Sequence, residues 1–196
     1  MGFFIKTVPD SDAAGELREY YDEDLKDLGY VADTTRSFSL LPDTYQGWRG
    51  LIRSIRKHMR LRNYELTTFA AAMEMGCTYC MLAHGALLRK NFFSAAELEA
   101  IREDFHHAGL EEKEVLMMDY SQKVVRDASS TTRQDFDKMR AAGWTDEDIL
   151  SITLAAAARS FASKLFDSLG AGPDSVYKDL DEETHHTLIG KRPFVS

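Results

Sequence analysis

The stretch that most constrains the fold runs from Thr145 to Gly170. Thr145-Asp146-Glu147-Asp148 starts it, alanines fill Ala155-Ala156-Ala157, and Gly170 followed by Pro173 ends the run. One long alanine-rich helix is expected there, and similar punctuation recurs along the chain. Ser11 or Asp12 can cap a helix through Leu17, Tyr21, Leu25 and Leu28, with Gly29 as its stop. Val31 to Pro42 reads as an irregular connection. A basic helix from about Tyr45 to Arg60 carries Trp48, Leu51, Ile52, Ile55 and Met59 at helical spacing. Helices are expected over Asn63–Met75 and Cys77–Lys90, separated by Gly76, and Ser94-Ala95-Ala96-Glu97 caps another. Leu110–Ala128 has Met117, Tyr120 and Val124 on one stripe, and Thr131 or Thr132 opens a shorter helix ending at Gly143. Strand signals are scarce, so the reading is all-α.

The 196 residues suit one domain or two fused helical halves. At 44% hydrophobic and 29% charged, the chain can bury a core. A net charge of −8 argues against nucleic acid or anionic lipid as the main partner, since both need a basic footprint. Met1 to Lys6 gives way to polar residues from Asp10, too early for a secretory apolar segment. The longest apolar stretch, Ile152–Ala158, is broken by Thr153 and closed by Arg159, so no bilayer-spanning segment is expected. A cytoplasmic protein follows from this reading, with an N-terminal helical segment (1–42), a main domain (43–174) and a C-terminal tail (175–196). A faint echo lays Ala155-Ala156-Ala157 over Ala70-Ala71-Ala72, allowing two pseudo-repeated halves of which the second lacks the chemistry.

That chemistry centres on two cysteines, Cys77 and Cys80, the only ones present. A disulfide scaffold needs more of them; a lone pair three apart in a reducing compartment is redox-active or metal-binding. On a helix Cys77 neighbours Cys80, and Cys80 neighbours His84. The sulfurs can close a disulfide if the first sits at a frayed N-terminus, and the imidazole can take a proton from Cys80 or stabilise its thiolate. Gly76 would let the chain turn there, where the helix dipole favours an anion. Glu65, on the preceding helix, could reach His84 if the two helices pack as a hairpin, fixing its tautomer. Helix-end electrostatics alone favour Cys77 as nucleophile; the histidine spacing favours Cys80. Zinc is the rival reading, with Cys77, Cys80, His84 and Glu65 as ligands, although a single helix rarely closes a tetrahedron.

Glu65, eleven residues, then Cys77-x-x-Cys80-x-x-x-His84 is similar to the signature of the alkylhydroperoxidase D-like (AhpD-like) branch of the carboxymuconolactone decarboxylase superfamily. Thr145-Asp146-Glu147-Asp148-Ile149-Leu150, Phe161-x-x-Lys164-x-x-Asp167-x-Leu169-Gly170 and Pro173-Asp174 resemble its peroxidase-related subgroup, so the likeness covers about Pro42 to Asp174. The resemblance implies an AhpD-like helical bundle assembled into trimers or dimers of trimers. It implies a thiol peroxidase without cofactor or metal: Cys80 peroxidatic, Cys77 resolving, His84 and Glu65 the proton relay. A peroxide would be the substrate and a dithiol, of lipoyl type in the best-studied branch, the reductant. The chain departs at Tyr79, where that branch has a histidine; a phenol cannot share a proton at neutral pH, which predicts a shorter relay.

The remaining polar clusters read as structural. His58 belongs to a solvated basic face, His106-His107 to a helix C-terminus, and His185-His186 to the tail. The basic run Arg53–Arg62 is expected to pair with acidic helices such as Glu19–Asp27. Met73, Met75 and Met81 are assigned to the core or a pocket wall, and Phe69, Phe92 and Phe93 to an apolar entry for an organic hydroperoxide.

Overall fold

A computed structural model describes residues 2–180, 184, 188 and 189. His185 and His186 lie outside the described residues. Among the described residues there are helices and no strand. The order is α1 (Gly15–Asp27), a short α2 (Asp33–Arg36), α3 (Pro42–Lys57), α4 (Leu61–Met75), α5 (Thr78–Asn91), α6 (Ala95–Asp104), α7 (Glu112–Asp127), α8 (Arg133–Ala141) and α9 (Asp146–Leu169).

The anticipated capping box at Ser94 is present, its hydroxyl accepting the amide three residues on, and others start α7, α8 and α9 at Glu111, Thr132 and Thr145. Other boundaries move. The first helix begins at Gly15, because Asp10–Asp12 is spent on a separate helical turn. Part of the supposed irregular connection winds into α2. α3 starts at Pro42, whose fixed φ and missing N–H suit a first helical position.

α4 is the central helix. It packs against α5, α7 and α9, and its residues Tyr64 to Ala72 are all buried. Three alanines there let neighbouring backbones approach closely, and Leu66 and Phe69 fill the space beside them. α9 lies across the same core, burying Ile152, Ala155, Ala156, Ala162 and Phe166. Against the sequence expectation, α9 is long and apolar enough to cross a membrane by length and composition; in the fold its buried face is packed on α4, α5 and α7. The echo between α4 and α9 breaks at Gly76, whose counterpart under the same shift, Phe161, sits inside unbroken helix.

Salt bridges reassign the basic segment. Arg62 forms a two-pronged pair with the buried Glu114 on α7, at 2.6 and 3.0 Å, while the α1 acids take Arg49 through Glu23. Arg62 also lies over the rings of Phe92 and Phe93, 5.8 and 4.5 Å from their centroids. Those phenylalanines pack beneath Arg62 at the α5–α6 corner, and Phe69 is fully buried core. His58 bonds Glu147, and His106 and His107 bond Asp104.

Candidate active site

Gly76 builds the site. It ends α4 with φ +68°, a left-handed conformation that side chains rarely adopt, and its N–H bonds the carbonyl of Met73. The chain reverses, Cys77 becomes the N-cap of α5, and Cys80 is the third residue of that helix. Both sulfurs are free thiols and neither residue has any exposed surface. Because Cys80 lies in the first turn, the dipole argument that favoured Cys77 serves Cys80 as well.

The α4–α5 hairpin brings Glu65 to His84. The Nδ1 of His84 stands 2.6 Å from Oε2 of Glu65, with Glu65 only 1% exposed. A carboxylate accepts, so Nδ1 carries the proton and Nε2 presents its lone pair. Burial lowers the His84 pKa below its ordinary value, and Arg159 adds to this against the pull of Glu65; the ring is neutral at pH 7.

Two groups from α9 complete the surroundings of Cys80. Arg159 Nη1 donates to its sulfur at 3.6 Å and Ser163 Oγ at 3.2 Å. Burial on its own would raise the Cys80 pKa. It is outweighed by a hydrogen bond from Cys77, the charge of Arg159 and the Ser163 hydroxyl, so the thiol is held below the ordinary range. Cys77 moves the other way: its hydrogen bond to Cys80 and its burial keep its proton on. One thiolate and one thiol is the state this geometry favours.

Tyr79 does not join these groups. Its hydroxyl donates to Asp174 Oδ2 at 2.9 Å and lies 2.6 Å from Thr34 Oγ1, while Asp174 Oδ1 accepts the Asp33 N–H at 2.8 Å. Burial, and then the Asp174 charge, push the Asp33 carboxyl up to about 6. The residue before Cys80 thus ties the segment after α9 to the α2 turn. A cavity of about 320 Å³ opens beside this knot, with Tyr30, Trp48 and Phe166 among its walls and His84 and Arg159 reaching it. Met81 is core, and Met73 and Met75 pack at its edge. No group of three or more His, Cys, Asp or Glu residues among those described is placed to hold a metal ion.

Arg159, Ser163 and Asp174 were not anticipated from sequence as site residues. The available signal was Arg159 itself, a charge on the buried face of an alanine-rich helix, where an arginine is almost never found unpaired.

No family model matches the chain, and no curated protein matches it. Solved structures do. An uncharacterized peroxidase-related protein with an alkylhydroperoxidase AhpD core from Ralstonia eutropha JMP134 is 19% identical, with TM-score 0.76 over 89% of this chain and 94% of its own. An uncharacterized peroxidase-related protein from Silicibacter sp. TM1040 is 18% identical, with TM-score 0.78 over 88% and 92%. The debrominase Bmp8, in complex with 2,3,4-tribromopyrrole, is 16% identical, with TM-score 0.75 over 93% and 98%. The fold is the AhpD-like helical fold.

Proposed function

We propose that the protein is a thiol-dependent peroxidase in which Cys80 attacks the peroxide and Cys77 resolves the product. The observation that carries this reading is the environment of the Cys80 sulfur, which receives Arg159 and Ser163, with His84, bonded to Glu65, one turn further along the same helix.

The Cys80 thiolate attacks the terminal oxygen of R–O–O–H; the S–O bond forms as the O–O bond breaks, sulfur is oxidised to sulfenic acid, and R–O⁻ leaves to take a proton from water. The Cys77 thiol then displaces hydroxide from Cys80. Its proton passes through the His84 Nε2 lone pair to the departing hydroxide, which leaves as water, and a disulfide remains. An external dithiol returns the pair to the reduced state. Such a cycle belongs in a reducing, cytosolic compartment, and an assembly of several copies fits the same reading.

Reduced protein mixed with hydrogen peroxide or tert-butyl hydroperoxide should lose one peroxide per disulfide formed, with Cys77→Ser leaving a sulfenic acid trappable by dimedone. Peroxide consumption no faster than that of free dithiol would instead favour disulfide exchange with another protein. A second reading rests on the aromatic-walled cavity and the fold shared with a debrominase. The same dithiol could supply two electrons to replace an aryl halogen by hydrogen, and bromide release from 2,3,4-tribromopyrrole would select it.

A further inference from the structure

Two donors from α9 point at one sulfur. Ser163 Oγ lies 3.2 Å and Arg159 Nη1 3.6 Å from Cys80 Sγ, and Cys77, Cys80 and Ser163 are all fully buried. What these donors contribute depends on the oxidation state of that sulfur. A thiolate accepts both bonds with a full negative charge, whereas a disulfide sulfur is neutral and a poor acceptor. With little water in reach, neither donor finds an equal partner once the disulfide has formed. The α9 donors therefore favour the reduced pair over the oxidised one, and a stabilised reduced form is what makes a disulfide a strong oxidant.

The other charged and titratable groups nearby do not reverse this. On α5 itself His84 is neutral and Cys77 keeps its proton. Glu65, on α4, is bonded to His84, and Asp167, on α9, acts on Cys77. Tyr177, beyond α9, is pushed up by burial and stays un-ionised.

We propose that Ser163, together with Arg159, makes the Cys77–Cys80 disulfide an oxidising one, so that a monothiol such as glutathione suffices as its reductant. This deepens the peroxidase reading and rests on it. Oxidised protein and two monothiols give reduced protein, with Cys80 as thiolate and Cys77 as thiol, plus one monothiol disulfide and one released proton. The protein disulfide gains the two electrons that the monothiols lose. Because a proton is released, each unit rise in pH favours reduction about tenfold wherever Cys80 is ionised, and has no effect where it is protonated.

The test equilibrates wild type and Ser163→Ala, without oxygen, in mixtures of reduced and oxidised glutathione between about pH 6 and 8. Each mixture is approached from both directions until the two agree, and disulfide is counted by acid quench, alkylation and mass spectrometry. Thioredoxin, whose thiolate has a pKa of about 7, is the reference. At pH 7 wild type should be at least about tenfold easier to reduce than thioredoxin, and reduction should become about tenfold easier per pH unit. Ser163→Ala should be about tenfold harder to reduce than wild type at pH 7, a shift of about 30 mV, since a hydrogen bond to a charged group contributes roughly that factor or more. Equal poise in wild type and Ser163→Ala, or a wild type no easier to reduce than thioredoxin, would overturn the proposal while leaving the peroxidase reading intact. If oxidised glutathione forms no Cys77–Cys80 disulfide, both fall. Should Ser163→Ala not fold, the wild-type pH profile decides: an equilibrium that does not change with pH means a protonated Cys80 and overturns the proposal.

Discussion

Arg159 and Cys80, 79 residues apart in sequence, meet with the guanidinium Nη1 3.6 Å from a fully buried sulfur. A positive charge at that distance holds a thiol ionised, and burial protects the interaction from screening by salt. The pair turns a buried cysteine, ordinarily inert, into a nucleophile.

The first prediction concerns pH. The Cys80 pKa is depressed, so the thiolate is present at neutral pH and is lost only as pH falls through the lowered value. Absorbance at 240 nm of the reduced protein should therefore titrate well below the ordinary thiol range near 8.5. Arg159→Met should move the midpoint up by ~1–3 units, the usual effect of removing an adjacent opposite charge. A midpoint unchanged by the substitution would assign the thiolate to other groups.

Glu65 governs the second. In Glu65→Gln the amide oxygen still accepts from Nδ1, but the imidazole loses the charge that raises its basicity. Disulfide formation in single-turnover quench experiments should slow by about 100-fold, within the range for general acid–base catalysis. Glu65→Leu leaves a buried donor unmet and should also cost about 1–3 kcal/mol of stability in urea unfolding. A resolution rate untouched by either change would remove His84 from the relay.

Tyr79 gives a third test by contrast. Its hydroxyl is spent on Asp174 and Thr34, so Tyr79→Phe deprives Asp174 of a buried donor. The expected cost is about 1–3 kcal/mol, a melting temperature lower by a few degrees, with Cys80 oxidation rates nearly unchanged. Slower peroxide reaction at undiminished stability would return Tyr79 to the reaction path.

These residues also show what could be read in advance. Glu65, Cys77, Cys80 and His84 lie within 20 consecutive positions, on two helices joined at Gly76, so helix periodicity and one turn suffice to bring them together. The capping box at Ser94 and the helix start at Thr145 are equally local. Arg159, Ser163 and Asp174 are 79, 83 and 95 residues from their partners. Their roles depend on how α9 crosses α5, which tertiary packing decides. Phe92 and Phe93 were misplaced for the same reason: apolar character could not show that Arg62 would cover them.

Arg62 itself supplies a fourth prediction. Burial raises the Glu114 carboxyl pKa, but the two-pronged bond from Arg62 more than offsets this and holds it below its ordinary value. The folded pKa lies below the unfolded one, so the pair stabilises fully above about pH 4.3 and fades as pH falls through the lower folded value. Arg62→Met should cost about 1–3 kcal/mol at pH 7 and less at pH 3. A penalty independent of pH would mean that packing on Phe92 and Phe93, not charge, is what Arg62 provides.

The central claim, that Cys80 is the peroxide-reactive thiolate, is tested most directly by titrating reduced protein with tert-butyl hydroperoxide and mapping the products by mass spectrometry. Wild type should consume one equivalent and yield a single Cys77–Cys80 disulfide. Cys77→Ser should stop at a sulfenic acid on Cys80, and Cys80→Ser should consume none. Peroxide loss by Cys80→Ser at the wild-type rate would contradict the account.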